Sequence, residues 1–121
     1  MDYKFTAGTP ITEQDALNEV ATMGFHGFAF NDVQERDEIL HWHEFEAVAW
    51  VISGTGAFAD EDGNVTQIQP GCRVQSHAGW LHRTLAGTHT RIVVGTDLPY
   101  SEWTRPINKL PAERPAALLR A

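Results

Sequence analysis

His41-Trp42-His43-Glu44-Phe45-Glu46-Ala47, running on through Val48 to Gly54, is the stretch on which the reading of this chain turns. In an extended strand successive side chains face opposite ways, so His41 and His43 share one face while Glu44 and Glu46 take the other. Two imidazoles held this way can chelate one metal ion. The same pattern also suits an exposed or hydrogen-bonded pair on a sheet. Ile39 to Ser53 reads as one long strand with a bend, and Gly54-Thr55-Gly56 as a tight connection to Ala57-Phe58-Ala59.

Upstream, Thr12 is placed to cap a helix over Glu13 to Met23, with Glu13 and Asp15 suited to its first turn and Gly24 as its stop. Leu17, Val20 and Ala21 would share its apolar face. Residues 1–10 read as extended and loop-like. The alternating aromatic run Phe25 to Phe30 reads as strand and the polar run Asn31 to Glu38 as turn. Downstream, Asp60-Glu61-Asp62-Gly63-Asn64 is a hairpin signal, because Asp-Gly favours turns with positive φ. Short strands are then expected at Val65–Gln69, Cys72–Ser76, Leu81–Ala86 and His89–Thr96, separated by Pro70-Gly71, a His77–Trp80 loop and Gly87-Thr88. Many short strands with regular turn signals indicate an all-β sandwich or barrel. Pro99, Pro106, Pro111 and Pro115 set the C-terminal stretch apart, since proline cannot donate to a ladder. Its Trp103, Ile107 and Leu110 suit packing along a surface or a partner chain.

The chain has 121 residues, 42% hydrophobic, with one Cys, enough for one domain with one core and no intrachain disulfide. No apolar run approaches the ~20 residues of a membrane span. The N-terminal residues lack the apolar core of a signal peptide, so a cytoplasmic protein is expected. The net charge of −7 argues against nucleic acid and anionic membrane as partners. The charge is uneven: residues 1–62 hold 13 acids and 2 bases, residues 63–121 hold 3 acids and 7 bases.

His41, His43 and Gly54, together with Gly71, Gly79 and His82, fall at spacings that resemble the two sequence motifs of the cupin superfamily. The resemblance covers residues 26–97. It implies a double-stranded β-helix (jelly-roll) barrel over about residues 24–98, in a single domain 1–121. The short N-terminal helix and the extended Pro-rich tail 99–121 would be additions to it. It further implies one divalent metal ion (Fe, Ni, Mn or Zn) held by His41, His43 and His82, a small-molecule ligand or substrate, and a homodimer.

Four positions depart from the family pattern. Glu35 stands at the first Gly, Ala47 at the Glu, His77 at the Pro and Ala86 at the Asn. The family carboxylate ligand is therefore missing, and Glu46 could replace it only if a bulge turned it inward. Three His without a carboxylate still leave open positions on a metal, as in some dioxygenases of the superfamily. The alternative is a non-catalytic binding or sensor barrel with an empty His-lined pocket.

His77 and Arg91 are the candidates for supporting roles, His77 in acid–base work at the barrel mouth and Arg91, or else Arg83, in binding a substrate carboxylate. All three also suit plain surface positions. His26 could face the cavity, and His89 reads as surface. Phe28, Phe30, Trp50, Phe58 and Trp80 read as core or pocket wall. Cys72 reads as a buried small apolar residue.

Overall fold

A computed structural model describes residues 3–118. Its elements in chain order are β1 (Tyr3–Thr6), α1 (Glu13–Thr22), β2 (His26–Val33), β3 (Ala47–Asp60), β4 (Val65–Ile68), β5 (Arg73–Ser76), β6 (His82–Thr84) and β7 (His89–Thr96). Three short 3-10 turns follow, at Tyr100–Glu102, Pro111–Glu113 and Ala116–Leu118. Residues 1–2 and the last residues of the expected tail, 119–121, lie outside the described residues.

β3 organises the barrel. Its first half lies between β5 and β7, with β1 beyond β5 and β2 beyond β7. Its second half pairs with β4 and β6 instead. One strand thus passes from one sheet to the other, the construction of a double-sheet jelly roll. The crossing needs a break in register between Val51 and Ser53. It also needs Gly54, whose φ is +84° and whose added Cβ would sit 2.0 Å from the His89 carbonyl oxygen. No side chain fits there.

α1 begins where Thr12 accepts a hydrogen bond from the Asp15 amide and buries Ala16 and Val20 against the outer face of the larger sheet. Val20 rests on β7 so closely that a Cβ at Gly95 would lie 2.4 Å from its Cγ1. With Val48, Trp50 and Val93 these residues form the packed core. The other face of the same strands, at Ala47, Ala49, Val51, Ile92 and Val94, lines an internal cavity.

Several sequence expectations need correction. The N-terminal stretch contains a strand, β1, paired antiparallel with β5. β2 continues to Val33, into the stretch expected as a turn. Gly54-Thr55-Gly56 is no connection but part of one 14-residue strand. Residues 39–46 form no strand: His41 bridges His82 on one side and Trp42 bridges Lys109 on the other. Each contact is a single isolated bridge, and the chain bends at Glu44 and Phe45 before β3 begins. In α1 the buried partner of Val20 is Ala16, while Ala21 is exposed.

The tail folds back over its own barrel. Trp42 donates its indole N–H to the Leu110 carbonyl, and Arg114 donates to the Gly79 carbonyl. Glu44 accepts from the amide and hydroxyl of Thr104 and lies 3.5 Å from Lys109 Nζ. Trp103 stacks on Phe45 and meets Phe28 edge-on. No helix among the described residues is long and apolar enough to cross a membrane.

Candidate metal centre and its cavity

His41 and His82 come together because their backbones hydrogen-bond to each other in both directions, at 3.0 Å. His43 follows two residues after His41. The three rings lie with centroids 4.5 to 5.1 Å apart, and one nitrogen of each can be chosen so that all lie within 4.8 Å of one another.

Each ring is fixed by the same device. Nδ1 of His41 donates to the Ile39 carbonyl, Nδ1 of His43 to that of Ile107, and Nδ1 of His82 to that of Trp80. A carbonyl oxygen can only accept, so each Nδ1 carries a proton, and Nε2 is the atom left to offer a lone pair. Stacking adds to the orientation: His43 lies flat on Phe45 and His82 flat on Trp80. Burial lowers the pKa of His43 to about 4, with His41 and Lys109 adding to the effect and the bond to Ile107 opposing it. Burial and the two neighbouring rings push His82 well below its ordinary value. Both rings are therefore neutral at pH 7.

Three imidazoles with their Nδ1 atoms bonded to carbonyls, leaving Nε2 as the coordinating atom, are a donor set that suits a divalent transition metal. The residues fit such an ion. Ala47, at the position where the family pattern has Glu, lines the cavity with a methyl group only. Glu46 turns away: its carboxylate lies 3.2 Å from His77 Nδ1, and both side chains are about half exposed. The structure thus pairs Glu46 with His77 and brings neither into the three-His group. Arg91 sits on the outer face of β7, where its guanidinium binds Glu13 of α1 at 2.8 Å and Asn31 at 3.3 Å. Its neighbours Thr90 and Ile92 face the cavity, and alternation sends Arg91 the other way. His26 and His89 are exposed, and Cys72 is a buried free thiol.

The cavity measures about 510 Å³. Aromatic side chains of β2, β3 and the tail supply much of its wall, including Phe28, Phe30, Phe58 and Trp103. Its ionisable lining residues, besides the three His, are Asp32 and Glu38 plus Tyr100.

Sequence reasoning missed two contributions. The tail supplies Tyr100, Trp103, Ile107 and Asn108 to the cavity, and the Ile107 carbonyl to His43. Asp32 was hidden by reading residues 31–38 as a turn, although it continues the alternation of Phe28 and Phe30.

No protein-family model matches the sequence, and no curated protein matches it. Solved structures do match. A DUF861 family protein from Thermotoga maritima superposes with a TM-score of 0.54 at 19% identity, over 78% of this chain and 99% of that one. A 3,4-ketoisomerase from Helicobacter canadensis gives a TM-score of 0.54 at 17% identity, over 87% and 91%. Ectoine synthase from P. lautus gives 0.54 at 19%, over 81% and 65%. These neighbours are cupin-type proteins, and the chain has the fold of a small cupin.

Proposed function

We propose that this protein is a small metal-dependent cupin that acts on a small organic molecule held in its cavity, as a three-His dioxygenase or isomerase. The observation that carries the reading is the common fixing of His41, His43 and His82, each with Nδ1 donating to a backbone carbonyl. A bound Fe, Ni, Mn or Zn ion would supply Lewis acidity with open positions, its charge undiminished by any carboxylate. The chain's own part is to hold three imidazole nitrogens in place, and to exclude water with Phe28, Phe45 and Trp103. Elemental analysis of tag-free protein should find one divalent ion per chain, and His43→Ala should lose it. Wild-type protein that carries no ion after growth with each of the four metals would refute the reading.

The second reading is a non-catalytic binding barrel, and Ala47 favours it, because the cavity lacks the family's carboxylate. Turnover of a bound compound, lost in His43→Ala, separates the two. A cytoplasmic homodimer remains part of the proposal. A single buried free thiol supports the reducing compartment, and sedimentation would give the oligomeric state.

A further inference from the structure

Away from the three histidines, the cavity has a second polar end. Asp32 on β2 stands directly opposite Thr90 on β7 in the antiparallel register. Glu38 joins them through the ladder that carries the histidines: its amide donates to the Thr84 carbonyl, just as His41 bonds to His82. Thr84 and His82 are two residues apart on one strand, so their backbones are separated by about 7 Å.

The hydrogen bonds at this end are incomplete in a particular way. Asp32 Oδ1 accepts from Gln34 Nε2 at 2.6 Å, and Glu38 Oε1 accepts from the Thr84 amide at 2.9 Å. Asp32 Oδ2 and Glu38 Oε2 take no hydrogen bond or ion pair from any described residue. Thr90 is 2% exposed and lines the cavity, yet its hydroxyl has no partner. Buried polar groups ordinarily find partners, and an orphan in a cavity wall is free to bond whatever enters the cavity. The cavity lining includes no Lys or Arg among the described residues, so nothing there offsets the two carboxylates. Burial and the charge of Glu38 raise the Asp32 carboxyl above the ordinary range, against the Gln34 hydrogen bond.

We propose that Asp32, Glu38 and Thr90 form the recognition end of the cavity for the protonated amine of a small, largely apolar substrate whose other end reaches the three histidines. An ammonium group has three donors, and this end offers three free acceptors: Asp32 Oδ2, Glu38 Oε2 and Thr90 Oγ1. The aromatic wall suits an apolar body and can add cation–π attraction. Away from the histidines, the cavity lining offers no Lys or Arg to a carboxylate at this end. This recognition role rests on the reading of this cavity as the ligand site.

The test is calorimetric titration of the metal-loaded protein with benzylammonium and its neutral isostere benzyl alcohol, with metal content measured on every sample. Benzylammonium should bind at least about tenfold more tightly than benzyl alcohol. Asp32→Asn and Glu38→Gln, which keep the accepting oxygens for Gln34 and Thr84, should each weaken it by about tenfold with metal content unchanged. Thr90→Val should weaken it less.

Benzyl alcohol binding as tightly as benzylammonium would overturn the proposal, as would no benzylammonium binding at millimolar concentration. Unchanged affinity in both carboxylate variants would also overturn it. So would loss of a second equivalent of metal in Asp32→Asn, because this end would then be a metal site. Failure of amine selectivity in protein with one ion per chain removes this inference alone. Amine selectivity in protein that carries no ion removes the metal reading alone.

Discussion

The two faces of the β3–β7 pair are built for opposite purposes. Toward α1, Val48 and Val93 are wholly buried, and Gly95 brings the helix so near that no side chain could be added. Toward the barrel interior, Ala47, Ala49, Ile92 and Val94 border a cavity whose lining includes the three histidines and two carboxylates. A single run of alternating residues thus gives the molecule its rigidity on one side and its chemistry on the other. Stability should respond to the first face, and binding to the second.

The largest expected effect is on the packed face. Gly95→Val drives a side chain into Val20 and should destabilise the protein by about 3 kcal/mol, read as a lower denaturation midpoint. A loss below that of an ordinary surface change would mean that α1 can lift away freely.

The buried histidines give the cavity face a pH signature of comparable size. The pKa of His43 is about 4 when folded against about 6.5 when unfolded. The unfolded chain therefore takes up the proton first as pH falls. The stability of metal-free protein should be whole above about pH 6.5 and decline toward pH 4, by up to about 3 kcal/mol from this residue. His43→Phe should flatten the decline. Bound metal should raise the melting temperature above pH 6.5, and a chelator should reverse it.

Adjacent residues sharpen the comparison further. Val93→Ala removes wholly buried methyl groups and should cost about 2 kcal/mol. Val94→Ala, one residue on, enlarges a space that is already open and should cost about 1 kcal/mol or less. Equal costs would contradict the two-faced account. The smallest effect belongs to Arg91→Ala, which cuts an exposed pair with Glu13. It should leave metal content and ligand binding unchanged.

The barrel was legible where glycines and alternation mark it. Gly71 and Gly79 have the positive φ of turn residues, and His41, His43 and His82 converge as their spacing suggested. The strand boundaries were less legible, because Gly54 looks like a chain break but serves as a swivel inside a continuous strand. Long-range partners were not legible at all. Nothing near His43 announces that Ile107, 64 residues away, fixes its ring, or that Lys109 bridges Trp42. The position of Arg91 depended on strand parity that only the register with β2 and β3 supplies.

The central claim is that three imidazoles, through Nε2, make up the protein's whole contribution to a metal site. X-ray absorption at the edge of the bound metal in tag-free protein tests it most directly. The account predicts scattering from three imidazole rings, reduced to two in His82→Ala and unchanged in Glu46→Gln and His77→Ala. A spectrum with fewer than three imidazoles, or one that changes in Glu46→Gln, would contradict it.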